Sequence, residues 1–164
     1  MTGEDAAPIV VRPARSEDLE RIVEFNTRLA QETESKTLDR SVLEQGVRAA
    51  IAEPDRLRYW IAERDSEIAG QAAVTREWSD WRNGWIWWLQ SVYVNEPHRS
   101  AGVFRALYHQ IRSEALDRPD VIGLRLYVEH ANERAQTAYA RLGMSPGGYE
   151  VFEELWLDRF QNPS

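Results

Sequence analysis

The spacing of hydrophobic residues changes along the chain and predicts an alternation of strands and helices. Ile9 to Pro13 is a run rich in β-branched residues, which is typical of a strand. From Leu19 to about Glu32 the apolar positions recur at helical spacing, so this stretch predicts an amphipathic helix with Ser16 as its N-cap. A second helix is predicted from a cap at Asp39 to the residue before Pro54.

From Leu57 onward, apolar and polar residues alternate with the period of two that is typical of strands. Two strands joined by a tight polar turn are predicted over Leu57–Glu63 and Ile68–Trp78. An Asn-Gly turn signal then precedes a long strand, Trp85–Asn95. The later predicted elements are a helix from about Gly102 to Ala115, a strand over Val121–Val128, a helix over Asn132–Leu142 closed by Gly143, and a last strand over Tyr149–Leu157.

This order of elements predicts an α/β domain with a mixed sheet. Three consecutive strands joined by short turns pair antiparallel. The helices between the later strands are crossover connections, which bring parallel pairing into the same sheet. No glycine- or serine-rich linker and no repeat divides the 164 residues, so we expect a single domain over residues 1–164.

Composition and charge exclude several classes of protein. With 27 acidic and 20 basic residues the net charge is −7, which disfavours nucleic-acid binding and suits a cationic substrate. The absence of cysteine excludes disulfides, thiolate metal sites and a cysteine nucleophile, and the three scattered histidines predict no metal site. We find no apolar run long enough for a membrane span and no secretory signal, so we expect a cytoplasmic protein without a membrane partner.

The main candidate site is a strand, a short loop and a helix that starts at a glycine, within Val92–Leu107. Unpaired backbone N–H groups converge at such a junction, and the helix dipole adds positive charge, so a phosphate group fits there. Arg99 supplies a full positive charge beside the loop. The same spacing also fits an ordinary crossover in which Gly102 only turns the chain, so the pattern alone leaves both interpretations open.

This segment resembles the acetyl-CoA-binding signature of the GNAT N-acetyltransferase superfamily, Arg/Gln-x-x-Gly-x-Gly/Ala after a strand. Arg99 and Gly102 match the signature, whereas Phe104 stands where the family usually has glycine or alanine. A second stretch is similar to the C-terminal signature of the family, and it consists of the strand Leu124–Val128 followed by Asn132, Ala135, Tyr139 and Gly143.

The resemblance implies a GNAT-like fold, with a mostly antiparallel central sheet, flanking helices and two splayed central strands. It implies acetyl-CoA as co-substrate, with the pantetheine arm paired to strand edge groups and the pyrophosphate over the loop. Tyr139 is implied as the acid that protonates the leaving thiolate, with a core tyrosine as the alternative. The implied cofactor-binding residues are Val92, Tyr93, Val94, Arg99, Ser100, Ala101, Gly102, Val103, Phe104, Asn132 and Ala135. For Asn132, a helix cap is an alternative role.

The general base is not evident from the sequence. An attacking amine must lose a proton, and many GNAT enzymes use a carboxylate on the strand before the phosphate loop. The corresponding stretch here, Leu89–Val92, contains none. A water chain or a carboxylate elsewhere must then carry the proton, with Glu77, Glu32 and Glu34 as candidates. We assign Glu77 as the candidate catalytic base and Glu32 to the acceptor site.

Five of the seven tryptophans lie between Trp78 and Trp88. Strand alternation places Trp85 and Trp87 on one face of the strand, and Ile86 and Trp88 on the other. One face can be core while the other walls the acceptor cleft, where aromatic rings suit an apolar or cationic amine. We take Trp78, Trp85 and Trp87 as candidate acceptor-binding residues.

Together these features predict an acetyl-CoA-dependent N-acetyltransferase that moves the acetyl group directly to a primary amine in a ternary complex. A small-molecule amine is the preferred acceptor, and a protein amine is the alternative. A second hypothesis is a non-catalytic acyl-CoA-binding sensor or scaffold with the same fold, favoured by the missing strand carboxylate and by Phe104. A homodimer is expected only by analogy with relatives that pair.

Overall fold

The computed structural model describes residues 7–157, which form two compact units, one ending at Tyr127 and the other beginning at Val128. Among these residues, the first unit contains five strands and three α-helices, and the second contains one α-helix. The strands are β1 (Val10–Pro13), β2 (Arg58–Arg64), β3 (Glu67–Ser79), β4 (Gly84–Val94) and β5 (Val121–Leu126). The helices are α1 (Leu19–Glu34), α2 (Arg40–Ala52), α3 (Val103–Leu116) and, in the second unit, α4 (Glu133–Arg141).

The five strands form one mixed sheet in the order β1-β2-β3-β4-β5, which confirms the predicted fold class. The first four strands pair antiparallel, and β5 pairs parallel to β4 after the crossover through α3. In the part of the chain that the structure describes, the β4–β5 ladder ends at the pair Leu89–Leu126. β4 continues to Val94 and stays paired with β3 over this stretch. Beyond Leu89, β4 and β5 are therefore no longer paired, as the GNAT resemblance implies.

Helices cover both faces of this sheet. Ile22 and Val47, from α1 and α2, pack in one buried cluster with Tyr59 of β2. On the opposite face, Trp60 of β2 donates its indole N–H to Glu114 of α3 at 3.0 Å. This alternation of neighbouring side chains between two covered faces is the period of two expected for a central strand. None of the helices within residues 7–157 has the length and apolar character needed to cross a membrane.

The start of α1 differs from the prediction. Ser16 is not its N-cap, because residues Ser16–Asp18 form a single 3-10 turn and the α-helix begins at Leu19. The buried Asp18 makes the stabilising contacts instead. Its carboxylate accepts a hydrogen bond from the Arg15 N–H at 2.7 Å and two from the Arg12 guanidinium at 2.7 and 2.9 Å. A charge that pairs this well can stay buried, which sequence spacing alone did not indicate.

Asp18→Asn should lower the free energy of unfolding at pH 7 by about 2–3 kcal/mol, because it leaves the half-buried Arg12 with one acidic partner, Glu63, instead of two. Burial alone would raise the pKa of Asp18, but hydrogen bonds from Arg12 and from the Arg15 N–H outweigh it and lower that pKa below its usual value. The contribution is therefore present above about pH 4 and lost as the pH falls toward the lowered pKa. Urea unfolding of the wild type and of Asp18→Asn at pH 7 and pH 3 measures this contribution. If the free energies of unfolding of the two proteins differed by the same amount at both pH values, the prediction would be contradicted.

The second unit confirms the predicted last helix and its two ends. Asn132 caps α4, since its side-chain oxygen accepts from the Ala135 N–H at 3.0 Å. Gly143 follows the helix with φ of 91°, and its N–H donates to the Ala140 carbonyl while that of Met144 donates to Tyr139. These two bonds define a Schellman motif, which requires a left-handed residue at this position.

The predicted last strand, Tyr149–Leu157, is wrong. Residues 149–156 form no regular secondary structure, and the five-stranded sheet includes none of them. Several of the apolar side chains are exposed, with Phe152 93% accessible. Alternation along a sequence only sorts side chains onto two sides, whereas a strand also needs a neighbour that pairs with its backbone.

Candidate active site

A β-bulge interrupts β4 in the middle of the sheet. Between the pairs Ala73–Gln90 and Gln71–Tyr93, β4 has two residues where β3 has only one. Ser91, the first of these two, has φ of 50°, in the left-handed region that few non-glycine residues adopt. A bulge disrupts the ladder locally and leaves backbone groups without a strand partner. Such groups are what an oxyanion site is built from.

Beyond this bulge, β4 presents backbone groups to the side where β5 has ended. Asn95 donates its N–H to the Ala69 carbonyl of β3 at 2.8 Å. Successive residues of a strand turn their backbone groups to opposite edges, so Val94 and Val92 face away from β3. The Val94 carbonyl accepts a hydrogen bond there from Arg99 Nε at 3.0 Å. This edge is the one that the GNAT resemblance assigns to the pantetheine arm.

Arg99 of the signature is tied to the end of α1. Its Nη2 donates to Glu32 Oε2 at 2.6 Å and to the Tyr93 hydroxyl at 3.2 Å, and that hydroxyl donates to Glu32 Oε1 at 2.8 Å. Burial opposes the change, but the bonds from Tyr93 and Arg99 lower the pKa of Glu32 below its usual value. A carboxylate with both oxygens engaged and a lowered pKa is a weak base, so Glu32 is poorly suited to accept a proton.

Glu32 also lines a shallow depression at the end of α1, with a volume of about 260 Å³. All the residues that line this depression have polar or charged side chains, and they are Thr27, Arg28, Gln31, Glu32, Lys36 and Thr37. No aromatic side chain lines it, so the acceptor surface predicted around the tryptophans is a different place.

The loop between β4 and α3 has the conformation expected of an anion site. Ser100 and Gly102 are both left-handed, with φ of 62° and 83°. Loops of this kind direct successive N–H groups into a concave surface, here at the positive end of the α3 dipole. Gly102 is the N-cap residue of α3, and no side chain of the described residues caps that helix. Its first N–H groups are therefore available to a ligand.

Phe104, which departs from the family signature, lies in the first turn of α3. Its ring centroid is 6.2 Å from that of Tyr108, one turn further along the same helix. Val103, between the loop and Phe104, is buried in the core. The bulky residue is thus accommodated by contacts along the helix, and the signature loop keeps a left-handed glycine at Gly102.

The tryptophans divide between the two faces of the β3–β4 hairpin, as strand alternation predicted. Trp87 is only 4% exposed, and its ring lies 6.3 Å from that of Trp60 on the α3 face, so it is a core residue. Trp78 and Trp85 form an edge-to-face pair at 5.0 Å further out on that face. These three candidates therefore do not line the face of the sheet that carries Glu77.

A second aromatic cluster, which we call the Glu77 cluster, lies on the other face. It consists of Glu77, Trp88, Arg125 and Tyr127. The Trp88 and Tyr127 rings stack with centroids 4.4 Å apart, and the Trp88 indole N–H donates to Glu77 Oε2. Arg125 donates to the same oxygen at 3.4 Å. The carboxylate and the Trp88 ring already hold the Arg125 guanidinium, which lies 5.8 Å from the ring centroid, so this surface is of the kind that attracts cations.

Glu77 is far from the bulge along the sheet. It pairs with Ile86, which precedes Ser91 by five residues. Since a strand rises about 3.3 Å per residue, the two points lie about 16 Å apart along the strand. Direct proton transfer needs hydrogen-bond distance, so at this separation Glu77 cannot take a proton directly from a group held at the bulge.

The remaining predicted site residues belong to α4 of the second unit. Asn132 and Ala135 form the N-cap bond described above, which uses the Asn132 side-chain oxygen. Tyr139 lies on the half-buried side of the helix with Ala135 and Ala138. Burial raises the pKa of the Tyr139 hydroxyl above its usual value, so this group keeps its proton at neutral pH.

Sequence inspection did not single out the polar residues that contact the bulge. Gln71 and Asn26 are buried, and the Gln71 amide donates both to Asn26 and to the Ser91 carbonyl. One signal was available, because Gln71 is the only polar side chain in the apolar run Ile68–Val74. A lone polar residue inside a central strand needs a buried partner.

The sequence model of the Acetyltransferase (GNAT) family matches residues 19–144, and the chain belongs to this family. A possible acetyltransferase from Clostridium difficile 630 is 39% identical, with 90% of this chain and 97% of that one covered and a TM-score of 0.83. A predicted acetyltransferase from Clostridium acetobutylicum, solved with acetyl-CoA, shares the fold at 20% identity, with a TM-score of 0.73 over 92% of this chain and 98% of that one.

Among curated proteins, the chain is 28% identical over 88 residues to the streptothricin acetyltransferase of Escherichia coli. The match covers 54% of this chain, and the chain spans about half of that relative, 47% of its length. The GNAT family uses acetyl-CoA as acetyl donor, which confirms the predicted co-substrate. The left-handed loop, the uncapped start of α3 and the open edge of β4 fit such a donor.

Proposed function

We propose that this chain is an N-acetyltransferase that moves the acetyl group of acetyl-CoA directly to a primary amine. The bulge at Ser91, on the strand that leads into the signature loop, is the observation that carries this proposal. It supplies backbone donors on the same strand whose end leads to the anion-suited loop. An acetyl-CoA molecule bound along this strand would have its thioester carbonyl at the oxyanion site and its pyrophosphate at the loop.

In the proposed reaction the amine nitrogen attacks the thioester carbonyl carbon, and the Val92 N–H stabilises the oxyanion that forms. The C–S bond then breaks and the thiolate takes a proton from Tyr139, while the attacking nitrogen loses a proton to water and water returns a proton to the Tyr139 phenolate. The chain has no cysteine, which removes one acyl-enzyme route and favours a ternary complex in which both substrates are bound together.

The donor would occupy the edge of β4 and the signature loop. Val92, Tyr93 and Val94 would border its pantetheine arm, and the loop from Arg99 to Phe104 would hold the pyrophosphate. We keep Asn132 and Ala135 as pantetheine contacts on the family resemblance. Glu32 has both oxygens engaged by Arg99 and Tyr93, so in this proposal it positions Arg99 rather than binding the acceptor.

We infer an acceptor that carries a second positive charge besides the reacting amine. The Glu77 cluster lies about 16 Å along the strand from the bulge, within reach of a small extended molecule that has cationic groups at both ends. The net charge of −7 favours such molecules by attracting cations generally.

A thiol-reactive dye tests the activity directly. Because the protein has no cysteine, every thiol released in the assay comes from CoA. Wild-type protein should release CoA with primary amines, and faster at low concentration with diamines than with monoamines of the same length. No release with monoamines, diamines, polyamines or lysine-containing peptides would contradict the proposed function. Calorimetry with CoA, run in parallel, distinguishes an enzyme from a non-catalytic sensor, because a sensor would bind CoA without turnover. The lack of a carboxylate over Leu89–Val92 is the observation that favours a sensor.

Glu77→Gln should raise KM for a diamine about tenfold and change kcat little, because it removes a charge that binds the far end of the acceptor. Glu20→Gln is the matched control, since Glu20 is an exposed glutamate on the outside of α1 that pairs with Arg40. A fall in kcat of about 10²-fold or more with an unchanged KM would instead identify Glu77 as the base.

A further inference from the structure

Three polar side chains lie buried between α1 and the sheet, next to the bulge. Gln71 of β3 is fully buried, and Asn26 of α1 and Tyr59 of β2 are nearly so. They sit beside the apolar cluster formed by Ile22, Ile61 and other core residues. A polar group in such surroundings costs free energy unless it is hydrogen-bonded, so three together point to a role that packing does not explain.

Their hydrogen bonds form a chain that ends on the backbone of the bulge. Asn26 Nδ2 donates to the Tyr59 hydroxyl at 3.1 Å. Gln71 Nε2 donates to Asn26 Oδ1 at 2.9 Å and to the Ser91 carbonyl at 3.0 Å. Because a carbonyl can only accept, the amide nitrogen of Gln71 must face Ser91, which fixes the orientation of this side chain. Among the described residues, Gln71 Oε1 has no partner, so the network is arranged around the donor.

The carbonyl that Gln71 holds belongs to the peptide that also carries the Val92 N–H. A peptide unit is planar and trans, so its carbonyl and its N–H point in opposite directions. Holding the Ser91 carbonyl toward Gln71 therefore directs the Val92 N–H away from the buried network. Ser91 has φ of 50°, a conformation that non-glycine residues keep only when their surroundings hold it.

We propose that Gln71 is a positioning residue: by holding the Ser91 carbonyl, it fixes the Val92 N–H in the direction that stabilises the oxyanion. Asn26 supports it by fixing the Gln71 amide. The Tyr59 hydroxyl, which accepts from Asn26, also interacts with the Ser91 side chain. This inference rests on the proposed acetyl transfer, and it adds a residue that no part of the phosphate-loop signature contains. A donor that is misaligned by about 1 Å can lose about 10²-fold in rate while ground-state binding is unchanged.

Gln71→Met keeps the shape of the side chain and removes its donor. We expect kcat to fall about 10–100-fold, with KM for acetyl-CoA and the calorimetric Kd for CoA each changing less than about twofold. Asp18→Asn is the control for lost stability, because it should lower the unfolding temperature and leave kcat at the wild-type value. Tyr59→Phe removes the hydroxyl that contacts Asn26 and the Ser91 side chain, but it leaves the Ser91 carbonyl bonded to Gln71, so it should lower kcat by a smaller factor than Gln71→Met.

The triple variant Asn26→Leu, Tyr59→Phe, Gln71→Met separates positioning from stability. Replacing all polar partners by apolar residues should return the unfolding temperature toward that of the wild type, while kcat stays low because nothing holds the Ser91 carbonyl. Recovery of kcat together with stability would overturn the inference, as would full activity of Gln71→Met. If the wild type itself releases no CoA, the proposed function fails and this inference fails with it. If the wild type is active and both Gln71→Met and the triple variant keep its kcat, only the inference is contradicted.

Discussion

Replacing Tyr139 with phenylalanine should lower turnover about 10²-fold while the affinity for acetyl-CoA stays within about twofold of the wild type. The substitution keeps the aromatic ring and removes the hydroxyl that we propose as proton donor to the leaving thiolate. Burial raises the pKa of that hydroxyl, so the group is protonated wherever acetylation of an amine is measured. Thiol release at saturating substrates gives kcat, and calorimetry with CoA gives the affinity.

The raised pKa of Tyr139 also sets a pH dependence. A phenol donates a proton only below its pKa, so wild-type kcat should fall only as the pH rises above about 10, and the phenylalanine variant should lack this fall. Tyr108→Phe is the matched control, because Tyr108 is a buried tyrosine of α3 without a part in the proposed chemistry. Full activity of Tyr139→Phe at saturating substrates would leave the residue with a packing role only.

Replacing Gly102 with valine should produce the reverse pattern. We expect the affinity for CoA to fall about 10–100-fold, with kcat at saturating acetyl-CoA near the wild-type value. Gly102 has φ of 83°, where a β-branched residue is strained, so the loop must change its conformation. A Cβ at this position meets no atom within 4 Å in the free protein. The side chain would thus occupy open space at the start of α3, where the pyrophosphate must approach the backbone.

Gly46→Ala provides the control for this prediction. Gly46 lies inside α2, and a Cβ there also meets no atom within 4 Å. Alanine should raise the free energy of unfolding by about 0.5–1 kcal/mol through its helix propensity and leave the affinity for CoA unchanged. Calorimetry with CoA on both variants is the measurement. If Gly102→Val bound CoA as tightly as the wild type, the pyrophosphate would have to bind elsewhere.

Most secondary structure could be predicted because its signals are local. Alternation of apolar residues located each end of β2, β3 and β4 to within one residue of its observed position. Asp39 and Asn132 were identified as helix caps, and both accept a hydrogen bond from the residue three positions later. Such interactions join neighbours in the sequence, so residue type and spacing are enough to predict them.

Local signals also led to the two errors in the fold. Ser16 has the right residue type for a cap, but Asp18 forms the buried contacts with Arg12, a partner on β1 that spacing does not identify. Residues 149–156 alternate like a strand without pairing to the sheet. In both places the outcome depends on contacts with other elements of the fold, and the spacing pattern within one element contains no information about them.

Residue patterns along the chain were enough to identify a GNAT-like protein and to predict a donor site in the loop that ends at Gly102, because that signature is a short run whose function lies in its backbone. Which side chains meet depends on how the elements pack in three dimensions. This packing pairs Glu32 with Arg99, places Trp87 in the core and brings Gln71 to the Ser91 carbonyl. Each of these contacts joins different elements of the fold, and their distances are set by how the strands and helices pack rather than by their positions in the chain.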